Sequence, residues 1–193
     1  MSTQGPNSPQ TMADDATVGT VAWTTPDNAK TSNDVYTTFP TAAPPAKTSH
    51  YLKATNFGFS IPAGAVINGI LVEIEKKTDG NAVSIKDSAV KIVKADGSIG
   101  TTNKGDTVNQ WSTTEAYVSY GGSADLWGET WASADINDID FGVVLSAIMD
   151  SEGSVASVDH IRITITYTAG SPSSSLSPSS SSSASLSPSA SIS

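Results

Sequence analysis

Cysteine is absent from the 193 residues, which excludes disulfide frameworks, thiolate metal sites and cysteine nucleophiles. Histidine occurs only twice, so the chain offers few candidates for a general base near neutral pH. Charged residues make up 15% of the chain, with 10 Lys and Arg against 19 Asp and Glu. The net charge of −9 repels phosphate backbones and anionic membrane surfaces, so nucleic acid is not an expected partner.

Long hydrophobic runs are also missing. No apolar run approaches the ~18 residues of a membrane-spanning helix. The N-terminal residues MSTQGPNSPQTMADD lack the basic and apolar regions of a secretory signal. We therefore expect that the protein does not insert into a membrane. We also expect that it is made without a recognisable signal peptide. A protein made this way can still end up outside the cell, as part of a particle released on lysis.

Apolar and polar residues alternate along several short segments, as in half-buried strands. Segment 66–76 places Ile70, Val72 and Ile74 on one face. Segment 157–168 is the most regular, and its apolar positions are Val158, Ile161, Ile163, Ile165 and Tyr167. Shorter β-prone pieces occupy 18–23, 35–39, 50–59, 89–94, 116–120 and 141–147. These segments, with no helical periodicity of useful length, predict an all-β protein.

The frequent turn signals between these strands, such as Asp96-Gly97, indicate an antiparallel β-sandwich that is jelly-roll-like. We expect one sandwich domain over 16–168, with a single helical turn in the loop 127–140. Residues 1–15 are predicted to form a flexible or extended N-terminal arm. Residues 169–193 are predicted to be a low-complexity Ser/Pro-rich tail, in which the unit LSPS occurs twice.

The two histidines are the natural candidates for acid–base catalysis. His160 occupies an alternating polar position of the last strand, which favours an exposed histidine on a sheet face over a catalytic one. His50 lies where a loop meets a strand, and a structural role is favoured there too. Nucleophile-elbow, P-loop and H-E-x-x-H motifs are absent. We therefore predict that the protein is not an enzyme, and we assign no catalytic, cofactor-binding or metal-binding residues.

Three carboxylates close in sequence, Asp135, Asp138 and Asp140, could present oxygen ligands to Ca²⁺. Their spacing does not match an EF-hand loop. The favoured interpretation is that Asp135 caps a single helical turn and that the other two solvate a loop. Calcium at this cluster remains the less favoured alternative.

Five aromatic residues also fall close together in sequence: Trp111, Tyr117, Tyr120, Trp127 and Trp131. Exposed Trp and Tyr side chains form platforms for sugar rings in many β-sandwiches. Large aromatics beside glycines, as in Trp127-Gly128, more often fill the open ends of a sandwich. Core packing is therefore favoured over a ligand platform.

Three segments carry a resemblance to a known group of proteins. They begin at Tyr51, Ser119 and Ala156 and read YLKATNFGFSIPAGAVINGILVEIEKK, SYGGSADLWGETWASADINDIDFGVVLSA and ASVDHIRITITYT. Together they resemble a domain of poorly characterised virion structural proteins from tailed phages and phage-derived particles. The resemblance implies a β-sandwich on a virion or similar surface assembly, with Ser/Pro-rich appendages. It brings no defined active site, so no functional residues are carried over.

Two functions follow as hypotheses. The first is a structural or decorating subunit of a phage-like virion or extracellular filament, which acts by self-assembly and surface display. Its partners would be further copies of itself or other structural proteins of the same particle, and strand donation by residues 1–15 would be one means of assembly. The alternative is a surface-displayed carbohydrate-binding or adhesin module with an O-glycosylated Ser/Pro stalk, for which surface glycans would be the partners. Neither hypothesis implies a cofactor.

Overall fold

The computed structural model describes residues 1–39, 46–80, 85–150 and 154–170. Most of the predicted tail, residues 171–193, lies outside these ranges. The described residues form ten strands and two short helices. The strands are β1 Ser2–Asn7, β2 Thr11–Asp15, β3 Thr37–Phe39, β4 Lys47–Thr48, β5 Tyr51–Thr55, β6 Val66–Gly80, β7 Ile85–Val93, β8 Ala116–Gly121, β9 Gly142–Met149 and β10 Ser154–Thr168. The helices are a 3₁₀ turn over Pro26–Ala29 and α1 over Ser133–Asn137.

The strands form two antiparallel sheets that pack face to face, which confirms the predicted all-β sandwich. The first sheet has the order β1-β10-β6-β8, and β3 pairs with the other half of the same edge of β10. The second sheet has the order β2-β5-β9-β7. The short strand β4 pairs with β9 on the same side as β5, beyond the end of β5. Every strand pairing in both sheets is antiparallel.

The core lies between β6 and β10 on one side and β7 and β9 on the other. Ile70, Val72 and Ile74 are fully buried, and Leu71 and Glu73 between them point to the outer face, as the alternation predicts. The second sheet contributes side chains such as Val90 and Leu145 to the same cluster. The two long strands pair along their whole length, so they form the centre of the first sheet.

One irregularity in this central pair positions the polar residues of the outer face. Val158 pairs with Lys76 and His160 pairs with Glu75, so Asp159 is an extra residue in β10. Such a bulge breaks the two-residue period and turns two successive side chains toward the same face. Asp159 and His160 therefore both point to the outer face of the first sheet, although neighbouring residues alternate.

The N-terminal segment differs from its prediction. Residues 1–15 were expected to form an arm outside the sandwich, but β1 pairs with β10 in the first sheet and β2 pairs with β5 in the second. The sandwich therefore begins at Ser2, and the predicted boundary at residue 16 is corrected. Both are edge strands with mostly exposed side chains, so they lack the apolar alternation that marks a buried strand.

Two shorter predictions also change. Segment 18–23 forms only an isolated bridge, Val21 to Ser49, instead of a strand. Its apolar residue Val18 packs on a small cluster on the outer face of the second sheet, together with Tyr51 and Val144. The strand predicted at 66–76 is longer than that segment, because β6 continues to Gly80.

Candidate functional site

His50 has a structural partner in the N-terminal segment. Its Nδ1 lies 2.7 Å from Asp14 Oδ2, and its backbone carbonyl accepts a hydrogen bond of 2.9 Å from Trp23 Nε1. The other oxygen of Asp14 accepts from the backbone N–H of Trp23. His50 therefore ties β2 to the segment before β5, which agrees with the structural role favoured from the sequence.

His160 is not the exposed histidine that the alternation predicted. It is nearly buried because Ser8 and Tyr117 cover it. Its Nε2 lies 2.8 Å from Ser8 Oγ, and its Nδ1 lies 2.8 Å from the Tyr117 hydroxyl. Burial lowers the pKa of His160 below the usual value of 6.5, although Glu75 opposes this effect. The ring therefore joins the β1–β2 turn to β8 as a neutral hydrogen-bonding group.

Beside His160, an ion pair runs between the two long strands. Arg162 donates from Nε and from a terminal nitrogen to the two carboxylate oxygens of Glu73, at 2.9 and 3.0 Å. The guanidinium also lies 3.7 Å from the centre of the Tyr117 ring. Bidentate pairing with stacking fixes the guanidinium plane. This part of the outer face is fully paired.

Three neighbouring carboxylates are not fully paired. Asp34, Glu115 and Asp159 lie far apart in sequence, but one carboxylate oxygen from each lies within 4.8 Å of the others. Asp34 belongs to the loop before β3, Glu115 directly precedes β8, and Asp159 is the bulged residue of β10. We call these three residues the acidic trio.

Hydrogen bonds hold part of the acidic trio in place. Oδ2 of Asp159 accepts from the backbone N–H groups of Asn33 and Asp34, at 2.9 and 3.2 Å. The hydroxyl of Tyr36 donates to Glu115 Oε2 at 2.7 Å and approaches Asp34 Oδ1 at 3.3 Å. The hydrogen bond to Glu115 raises the pKa of Tyr36, so its hydroxyl remains a donor at neutral pH.

Among the residues that the structure describes, two oxygens of the trio find no hydrogen-bond partner. Oε1 of Glu115 and Oδ1 of Asp159 are both buried and unpartnered, and Oε2 of the adjacent Glu75 shares this state. Asp159 as a whole is only 1% exposed. A buried, ionised carboxylate oxygen without a donor or a cation is energetically costly. Glu115 and Asp159 therefore each have one buried oxygen that no described donor satisfies, while Asp34 is exposed.

The cluster that the sequence offered for calcium has a different role. Oδ2 of Asp135 accepts from the backbone N–H of Ala132 at 2.8 Å and so caps α1. Oδ1 of Asp138 accepts from the backbone N–H of Asp140 at 2.9 Å, as in a polar turn. The favoured interpretation of a cap and a solvated loop is confirmed for these residues.

The aromatic residues lie mostly in the core, as the sequence favoured. Trp111, Tyr120 and Trp127 are buried, and the indole Nε1 of Trp127 donates to the backbone carbonyl of Ile70 at 3.0 Å. Trp131 is half-buried and packs edge-on against Phe141. Trp127 is 1% exposed, so it does not contribute to a sugar-binding platform.

The first sheet ends in β8, whose outer edge is open. Within the described ranges, β6 is the one strand that pairs with β8. The sequence of β8, AYVSYG, contains neither a charged residue nor proline. Val118 in its middle is 38% exposed. It also lines a cavity of about 210 Å³ together with Ala116 and Trp111. Unpaired N–H and C=O groups on an uncharged edge favour pairing with another strand.

The other three sheet edges are protected by different means. β1 contains Pro6 and a register shift, which disfavour regular pairing. β2 is short and ends in two aspartates. β7 is covered by the following loop, since Asn103 and Lys104 hydrogen-bond to Val90 and Trp111 hydrogen-bonds to Ile85. Among β1, β2, β7 and β8, β8 is therefore the strand whose edge is suited to strand addition.

Comparison with known proteins gives no match to this chain, whether with family models, curated proteins or solved structures. Among the residues that the structure describes, no helix is long and apolar enough to cross a membrane.

Sequence reasoning missed both the acidic trio and the open edge. The trio comes from three distant positions that a loop, a strand start and a bulge bring together, and no local spacing indicates this. The edge of β8 had a signal, because AYVSYG lacks the charge or proline that usually protects an edge strand. What the sequence did not show was that β8 is the outermost strand.

Proposed function

We propose that this protein is a structural or decorating subunit of a phage-like virion or an extracellular filament, and that it acts by self-assembly and surface display. The observation that carries the proposal is the open, uncharged edge of β8. A strand from a neighbouring copy, or from another structural protein of the same particle, pairs there through main-chain hydrogen bonds. The resemblance of the segments beginning at Tyr51, Ser119 and Ala156 to virion proteins supports the same function.

The chemistry beside β8 supports strand addition at this edge. The exposed side chain of Val118 and the cavity beneath it offer apolar surface to an incoming strand. Side chains of an added strand alternate, so every second one can reach that cavity. Main-chain pairing would provide the affinity, and the cavity, which Lys76, Asp87 and Trp111 also line, would select the side chains that fit it.

Light scattering coupled to size-exclusion chromatography tests the proposal on the full chain. We expect the native chain to have the mass of two or more chains, and the Val118→Glu variant to have the mass of one chain. A charge at this position blocks edge pairing, and folding tolerates it because Val118 is already partly exposed. Val66→Glu is the matched control, since Val66 is 62% exposed at the distant start of β6.

Two results would contradict the proposal. One is a native chain that stays monomeric at every concentration and forms no complex with proteins that co-purify from its source. The other is a Val118→Glu variant that assembles as well as the native chain does. Deletion of residues 1–15 is not a suitable test, because these residues form β1 and β2 of the sandwich itself.

A further inference from the structure

We propose that the acidic trio of Asp34, Glu115 and Asp159 binds a divalent cation, and that Ca²⁺ is the ion that suits it. One oxygen from each residue lies within 4.8 Å of the others, so a single ion can contact all three carboxylates. This site is separate from the open edge of β8, and its existence does not depend on the proposed function.

The unpartnered oxygens are the independent reason to expect an ion. Within the described part of the chain, Oδ1 of Asp159 and Oε1 of Glu115 are buried without a donor, whereas the second oxygen of each accepts at least one hydrogen bond. The hydrogen bonds from Asn33 and Asp34 hold the Asp159 carboxylate in a fixed orientation. A cation would bind the oxygens that the protein's own donors leave free, as cations bind carboxylate oxygens in metal sites.

The excess of negative charge around the trio also favours binding of a cation. The trio carries three negative charges, and the nearest positive group is Lys77, whose Nζ lies 3.9 Å from Glu115 Oε2. Lys77 is shared, because its Nζ lies at the same distance from Asp79 Oδ1. If Lys77 is assigned wholly to the trio, two negative charges remain, which one divalent ion neutralises. Like charges this close repel one another, and a bound cation would relieve that repulsion.

The donor set identifies the class of ion. All three side chains offer oxygen, and neither nitrogen nor sulfur ligands belong to the trio, which disfavours Zn²⁺ and Cu²⁺. Ca²⁺ accepts about six to eight oxygens in irregular geometry and tolerates carboxylates that bind through one or both oxygens. Mg²⁺ demands near-ideal octahedral geometry. Three carboxylates from a loop, a strand start and a bulge suit Ca²⁺, with water as the remaining ligands.

Binding at this site would connect three parts of the first sheet. The ion would hold the loop that contains Asp34 against the bulge of β10 and the start of β8. These parts are joined now by the bonds of Tyr36 and Asp159. Because an ion that binds only the folded chain stabilises it by mass action, Ca²⁺ should raise the melting temperature.

Calorimetric titration with CaCl₂ and thermal melting of the full, chelator-treated chain test this inference. We expect one ion per chain and a melting temperature that rises with Ca²⁺ concentration. Glu115→Gln and Asp159→Asn should each weaken Ca²⁺ binding by about tenfold or more, because each removes one charged ligand. Tb³⁺ provides a second readout, since Tyr36 contacts two of the ligands and should sensitise its luminescence.

The control is Asp140→Asn, which alters the other acidic cluster and should leave Ca²⁺ binding unchanged. Without Ca²⁺, Glu115→Gln should be as stable as the native chain or more stable, since it relieves repulsion within the trio. A purely structural role for Glu115 predicts a loss of stability instead. The inference fails if the native chain shows neither heat nor a melting shift with Ca²⁺. It also fails if folded Glu115→Gln and Asp159→Asn bind Ca²⁺ as the native chain does.

Discussion

Lys76 of the first sheet and Asp87 of the second form an ion pair inside the sandwich, with Nζ 2.5 Å from Oδ1. Their side chains are only 5% and 0% exposed. Oδ1 of Asp87 also accepts from Trp111 Nε1, and Oδ2 accepts from the Tyr120 hydroxyl, each at 2.8 Å. Burial lowers the pKa of Lys76, and the Asp87 carboxylate opposes that effect. The two sheets are thus joined by a polar contact whose partners are all satisfied.

Loss of one partner from this pair should be strongly destabilising. Asp87→Ala leaves the Lys76 charge buried and removes the acceptor of Trp111 and Tyr120, so we expect a loss of about 3–5 kcal/mol in urea unfolding. The double variant Lys76→Met/Asp87→Asn should cost less, because it removes the charge and retains an acceptor.

The exposed pair of Lys30 and Asp27 is the control for this prediction. Asp27→Ala should cost less than about 1 kcal/mol, as exposed ion pairs do. Equal losses for Asp87→Ala and Asp27→Ala would show that the buried pair has no special role.

Stability should fall with acidification because of His160. Its pKa in the folded chain lies below the ordinary value of 6.5, so the unfolded chain binds the proton more readily. The stabilisation is fully present above 6.5 and is lost as the pH falls through the folded pKa. Urea unfolding at a series of pH values should show this loss in the native chain. His160→Asn should flatten the slope just below 6.5, and an unchanged slope would rule out His160 as the source.

Substitution of Gly142 should damage the second sheet through a steric clash. A Cβ at Gly142 would lie 1.9 Å from the backbone oxygen of Ala54, which cannot move without breaking the pairing of β5 with β9. Gly142→Ala should therefore cost at least about 1–3 kcal/mol. Gly122→Ala is the control, since no atom of the described residues would lie within 4 Å of a Cβ there, apart from its chain neighbours. We expect the thermal melting of Gly122→Ala to match that of the native chain, and the prediction fails if the two variants melt alike.

Trp127 should act on stability and not on ligand binding. Trp127→Ala removes a fully buried side chain and should cost about 3–5 kcal/mol, measured by chemical unfolding. Trp131→Ala should cost less, because Trp131 is only half-buried. A glycan array tests whether Trp127 contributes to glycan binding instead. A glycan signal that is lost in a folded Trp127→Phe variant would support the carbohydrate-binding alternative instead.

The central strands were predictable because burial on one face leaves a two-residue period in the sequence. Ile70 to Ile74 and Ile161 to Ile165 show it, and their burial follows it. The role of Asp135 was also predictable, since a helix start needs a local acceptor. These features depend on neighbours in sequence.

The features that sequence reasoning missed depend on contacts between distant residues. β1 and β2 are exposed edge strands, so nothing in their composition separates them from a loop. His160 points to the outer face, as the alternation predicts, but Ser8 from the far end of the chain and Tyr117 of β8 cover its ring. The acidic trio exists only because the fold joins positions 34, 115 and 159.

The first and last strands of the sandwich are direct neighbours, with Ser2 opposite Tyr167. The chain before β1 and the chain after β10 therefore leave the domain at the same end of one sheet. Tension between these two ends would peel β1 from β10 one hydrogen bond at a time. Tension between the chain after Thr168 and a partner held at β8 would instead load the long β6–β10 pairing in shear, where many hydrogen bonds share the force. A subunit anchored through β8 would thus bear far more load on its C-terminal segment than one anchored through its N-terminus.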